Sequence, residues 1–99
     1  MPLRYYVLSY DLRGRVVPED YARLAQILNT AADCCKPLLS FWIVGTDLAP
    51  AQIISNLRAS NAILARDGIV VLEITGRGDF FGVETLEAQQ WLQSRIIKT

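Results

Sequence analysis

"CKPLLSFWIVGT", residues 35–46, is the stretch on which the reading of this chain turns. Pro37 has no N–H to give to a ladder, which confines the first part to an edge strand or a strand start. Phe41 to Val44 is β-branched and aromatic, the composition of a strand. The stretch therefore divides into two short strands, 36–40 and 41–46, that meet at a tight bend or bulge near Ser40. Upstream, Tyr21, Leu24, Ala25, Leu28, Ala31 and Ala32 recur at helical spacing, so residues 19–33 read as an amphipathic helix. Pro18 stands at its start, with Glu19 and Asp20 in the first turn to complement the helix dipole. Before it, "RYYVLSYD" at residues 4–11 reads as a strand, followed by a loop at 12–17.

Downstream, Pro50 opens a second helix with Ile53, Ile54 and Leu57 as its apolar stripe, fading near Ser60 or Asn61. "IVVLEIT" follows Asp67-Gly68 as a strand. "GRGDFFG" is a glycine-punctuated connection with a short extended piece expected at Asp79–Phe81. Leu86, Ala88, Trp91, Leu92 and Ile96 predict a last helix over residues 84–97. The order is β-α-β-β-α-β plus a C-terminal helix, which predicts an α+β fold of the ferredoxin-like sandwich type, with two helices on one sheet face. Residues 1–99 are expected to form a single ferredoxin-like domain, with 84–97 as a helical extension. The first and last strands are apolar on both parities, so the second sheet face also needs a cover. A second subunit or the final helix could supply it, and a homodimer is the expectation.

Composition narrows the chemistry. Hydrophobic residues make up 52% and charged ones 20%, enough for a packed core. Lys plus Arg and Asp plus Glu balance at 10 each, so binding to nucleic acid must rest on local clusters and not on a long-range field. The chain has no histidine, which removes Ser-His-Asp triads, imidazole acid–base chemistry and the usual zinc sites. No phosphate loop or dinucleotide fingerprint is present, and no small-molecule cofactor is evident. No apolar run approaches the ~20 residues of a membrane span, and a cytoplasmic location is expected. Cys34 and Cys35 are adjacent and read as small apolar filler at a helix end.

Three stretches carry a resemblance. "YYVLSYDL" resembles the opening strand of the CRISPR-associated Cas-two proteins, which ends in Tyr-Asp and an apolar residue. "LSFWIVGTDLAPAQI" is similar to that family's serine-led strand, acidic-apolar turn and proline-led helix start, and "DGIVVLEI" matches its fourth strand in position. Virulence-associated protein D, a small ribonuclease-type toxin, belongs to the same superfamily. The likeness covers roughly residues 3–75; the tail puts a helix where the family has a short fifth strand, which points to a stand-alone relative. The resemblance implies a ferredoxin-like homodimer with facing sheets, in which Asp11 matches the acid near the dimer axis that can bind a divalent metal. Some members are described as metal-dependent nucleases, and others as DNA-binding scaffolds.

The residues allow this chemistry. Asp11 is a hard oxygen donor suited to magnesium or manganese, but one acid per chain holds a metal poorly, and two-fold symmetry would bring a second Asp11. Such a pair could steady a phosphoryl oxygen and make Asp11 catalytic; otherwise Asp11 only solvates a strand end. Arg13 and Arg15, on the following loop, can bind phosphate bidentately and are the candidate nucleic-acid contacts. Ser9 lies on the face of Asp11, and Ser40 at the bend is expected to satisfy local backbone. Phe41 and Trp42 read as core or interface. Glu73 is expected to partner a tyrosine or an arginine. Arg77-Gly78-Asp79 is a coincidental tripeptide, and Phe80 and Phe81 read as an anchor or interface patch. The function these readings favour is a Cas-two-like dimer cleaving RNA or DNA with a divalent metal; the alternative is a non-catalytic dimeric module that binds nucleic acid or protein.

Overall fold

Strand β1 (Arg4–Asp11) runs inside an antiparallel sheet ordered β2-β3-β1-β4, with β2 at Asp33–Leu38, β3 at Phe41–Thr46 and β4 at Gly68–Ile74. The computed structural model describes residues 3–13 and 18–98. Helices α1 (Pro18–Leu28), α2 (Pro50–Ala59) and α3 (Leu86–Arg95) complete a small α+β unit compatible with the ferredoxin-like arrangement. None of the helices among the described residues is long and apolar enough to cross a membrane.

The bend at Ser40 is where the two halves of residues 35–46 part. Ser40 takes a left-handed φ of 53°, a conformation that turns the chain tightly and that L-residues adopt at some cost. Its carbonyl accepts the Tyr10 N–H at 3.3 Å, which ties the turn to the end of β1. Pro37 sits in β2 at the sheet edge, where the register shifts between Cys35 and Leu38. An irregular edge strand is the place a ladder tolerates a residue without an N–H.

Helix α1 ends earlier than its apolar spacing predicts. The amides of Thr30 and Ala31 bond back to Ile27 and Leu28, three residues before each, and the Thr30 hydroxyl donates to the Ile27 carbonyl at 2.6 Å. These short-range bonds tighten the last turn and close the helix. Strand β2 then begins at Asp33, so Cys34 and Cys35 lie in a strand and not at a helix end. Helix α3 is likewise trimmed to Leu86–Arg95: the Thr85 hydroxyl caps it by accepting the Ala88 N–H at 3.0 Å. Beyond it Ile97–Lys98 (β6) pairs in parallel with Arg77–Gly78 (β5), a two-residue ladder in place of the extended piece expected at Asp79–Phe81.

The inner sheet face is covered by volume. Tyr6, Leu8, Trp42 and Val44 pack there against Leu24 and Leu28 of α1 and Ile53 and Leu57 of α2. The Tyr6 hydroxyl is satisfied by the Leu48 carbonyl at 3.0 Å. Of the two covers anticipated for the outer face, α3 is in place: Leu92 shares a groove with Val7, Phe41, Ile43 and Ile74. On the edge strand β4, Val70 and Leu72 stay 55% and 59% exposed.

Helix α2 closes with a Schellman turn, because the N–H of Ala62 bonds to Leu57 and that of Asn61 to Arg58. Asn61 holds the left-handed position, φ 62°, with Ala62 and Leu57 buried beneath it. Replacing Asn61 by glycine is expected to stabilise the fold by roughly 0.5 kcal/mol, and replacing it by alanine to destabilise it by about 1 kcal/mol. Urea or thermal unfolding of the two variants checks the signs.

Candidate functional site

Asp11 closes β1 on the outer face, opposite Gly68 of β4. Its side chain is 70% exposed, and the Arg13 Nε donates to its Oδ2 at 3.2 Å. The Arg13 guanidinium lies over Gly68, where a Cβ would come within 2.8 Å of Nη2; the missing side chain makes room for the pair. Exposed pairs of this kind add only about 0–1 kcal/mol, so the contact orients Arg13 more than it stabilises the fold. Arg15 lies outside the described residues. Ser9 is exposed on the same face, between Phe41 and Val70 on the neighbouring strands.

A divalent cation does not fit one chain here. Asp11 supplies a single carboxylate with a guanidinium on one oxygen, and no group of three or more His, Cys, Asp or Glu side chains that could hold a metal ion occurs among the described residues. Further oxygen donors would have to come from another copy. Trp42 is buried, as a core residue should be, and its indole N–H donates to the Tyr10 hydroxyl at 3.2 Å. Burial pushes both cysteine thiols up in pKa, which favours their protonated form. Phe81 is 99% exposed.

A second constellation lies at the other end of the sheet, and Asp33 is its centre. The Asp33 carboxylate, 18% exposed, accepts from Tyr5 Oη at 2.7 Å, Trp91 Nε1 at 2.9 Å, and Arg95 Nε and Nη2 at 2.7 and 3.2 Å. The Arg95 guanidinium also stacks 4.2 Å from the Trp91 ring, and Tyr5 meets that ring edge-on. Gly45 sits between Tyr5 and Asp33 in the cross-strand row, and a Cβ there would come within 2.8 Å of the Tyr5 ring. Tyr5 and Arg95 are thus held by Asp33, while Glu73, expected to partner a tyrosine or an arginine, is exposed opposite Tyr6. Burial raises the Asp33 pKa, but the hydrogen bonds from Arg95, Tyr5 and Trp91 outweigh it and leave the carboxyl below its usual value. Sequence reading placed Asp33 at a helix end, so nothing marked it as a partner for Trp91 or Arg95.

No family model, curated protein or solved structure gives a significant match to this chain.

Two outcomes follow from the Asp33 network. Its folded pKa is depressed, so its contribution is present above the unfolded carboxylate value, ~3.9, and is lost as pH falls through the folded value. Helix α3 is expected to loosen in that acid range, seen as a red shift of Trp91 emission, and Asp33→Asn should remove that dependence. Separately, Gly45→Ala is expected to displace the Tyr5 ring and lower stability by about 1–3 kcal/mol, measured by urea unfolding.

Proposed function

We propose that this chain is a ferredoxin-like, Cas-two-like homodimer that binds nucleic acid as a scaffold, joined through the outer face of β1 and β4. The observation that carries the reading is the placement of exposed Val70 and Leu72 beside Ser9 and Asp11 on a part of the outer face that α3 leaves open. Apolar side chains so exposed on a strand favour a partner surface. An isologous contact across them would bring two Asp11–Arg13 pairs toward the two-fold axis. With a net charge of zero, attraction to phosphates rests on such local guanidinium groups.

The metal-dependent nuclease is the second reading, favoured by the 70% exposure of the Asp11 side chain. Bound there, magnesium or manganese would act as a Lewis acid on a phosphoryl oxygen, with Asp11 from each copy holding it. Arg13 in that case takes phosphate and Ser9 lies within the same face.

Light scattering at micromolar concentration is expected to give a dimer mass, and Val70→Asp with Leu72→Asp a monomer mass. A monomer for the native chain overturns the interface. Arg13→Ala is expected to weaken binding to DNA or RNA and to lower the salt slope by about 0.7–0.9 per lost phosphate contact. Manganese at a hundredfold excess over its dissociation constant would stabilise a metal-binding dimer by about 2.7 kcal/mol. Thermal melts showing that shift in the native protein and not in Asp11→Asn select the nuclease reading; equal responses in both select the scaffold.

A further inference from the structure

A groove of about 400 Å³ opens on the inner side of the sheet, between α1 and the β2–β3 turn. Tyr10, Tyr21, Ala25, Lys36, Leu39 and Ser40 line it. Its size is within the ~300–1,000 Å³ of small-ligand sites, and its lining pairs aromatic and aliphatic surface with convergent polar groups.

Tyr10 accepts the Trp42 indole N–H, which fixes its ring, while its own O–H has no acceptor among the described residues. Tyr21, four residues before Ala25 on the same helix face, is 39% exposed. Lys36 Nζ lies 3.7 Å from Glu84 Oε2, too long for a hydrogen bond, so the ammonium is only loosely held by that carboxylate. Leu39 is 76% exposed at the rim, where the left-handed Ser40 turns the chain. The groove thus offers an aromatic platform, a leucine, hydroxyl donors and one cation.

We propose that this groove binds one nucleotide, with its base laid against Tyr21 and Leu39 and its phosphate taking the Tyr10 hydroxyl and the Lys36 ammonium. Stacking suits any base, so the site selects for an unpaired nucleotide and not for a sequence. A base within a duplex cannot offer its face. The proposal rests on the nucleic-acid reading above and narrows it to an unpaired nucleotide, whether free or within a single strand. Tyr10 and Asp11 are consecutive on β1 and point to opposite faces, so the groove is separate from the proposed dimer interface.

The test follows the Trp42 indole N–H, which touches Tyr10, in two-dimensional ¹H–¹⁵N spectra, with the Trp91 indole held by Asp33 as an internal control. Adenosine and uridine monophosphates, a ten-nucleotide single strand and its matched duplex are titrated in turn. The expected result is a saturable shift of Trp42 and not of Trp91. A shift with the monophosphates assigns the site to free nucleotides, and one with the strand alone assigns it to an unpaired nucleotide within a chain. Tyr21→Ala and Lys36→Gln, each with a dispersed folded spectrum, should weaken the response at least about tenfold. No Trp42 shift, a shift with duplex alone, or full affinity in both variants overturns the proposal. Failure of the dimer reading is distinguishable: a monomer mass with unchanged binding by Arg13→Ala would leave the Trp42 response in place.

Discussion

An apolar sheet with both faces in need of a cover is the constraint on which this molecule is built, and the two covers are held differently. The inner one is a matter of volume. Leu24, Leu57 and Ile63 are fully buried between helices and sheet, each contributing about 1.5–3 kcal/mol. The outer one buries little, since only Ala88 and Leu92 of α3 are fully covered. The Asp33 carboxylate fastens it as well, by taking Tyr5, Trp91 and Arg95 together, and Gly45 makes that geometry accessible by letting the Tyr5 ring approach β3 closely.

That division explains which parts of the fold could be read from the residues. Runs of β-branched and aromatic residues and a helical apolar stripe leave a local trace, so β1, β4 and α2 were legible nearly to the residue, and Pro37 with Ser40 marked the division between β2 and β3. The end of α1 was not, because Ala31 and Ala32 keep the apolar spacing after the backbone has already turned through Thr30. Asp33 was illegible for the same reason: a carboxylate assigned to a helix end offers no clue that Trp91 and Arg95, far along the chain, will close on it. The β5–β6 pair is two residues long and carries no pattern that any local signal could expose.

At the candidate site, the position of Asp11 at the strand end was legible from "YYVLSYD", and the alternation of β1 correctly put Ser9 on its face. What the alternation could not give was the Arg13 guanidinium folded back onto that carboxylate over Gly68. An acid already satisfied by a cation is a poorer metal ligand and a better partner for orienting an arginine toward phosphate. The inner groove was not legible, because its members come from α1, β1, β2 and the turn after β2, and no single stretch carries its pattern.

The pleat of β1 then has a functional consequence. Side chains alternate between faces, so Tyr10 opens into the inner groove while Asp11 stands on the outer surface, one residue apart. In the proposed dimer, a second copy approaching Val70 and Leu72 would meet Asp11 and leave Tyr10 untouched. A nucleotide seated as proposed against Tyr21 would meet Tyr10 and leave the outer face free. The two proposed contacts are thus sterically independent, and the backbone hydrogen bond from the Tyr10 N–H to the Ser40 carbonyl ties the groove to the end of β1. A two-fold dimer would therefore present two inner grooves facing away from each other, on either side of a shared seam of arginines. That arrangement suits holding two unpaired segments apart better than it suits clasping one duplex.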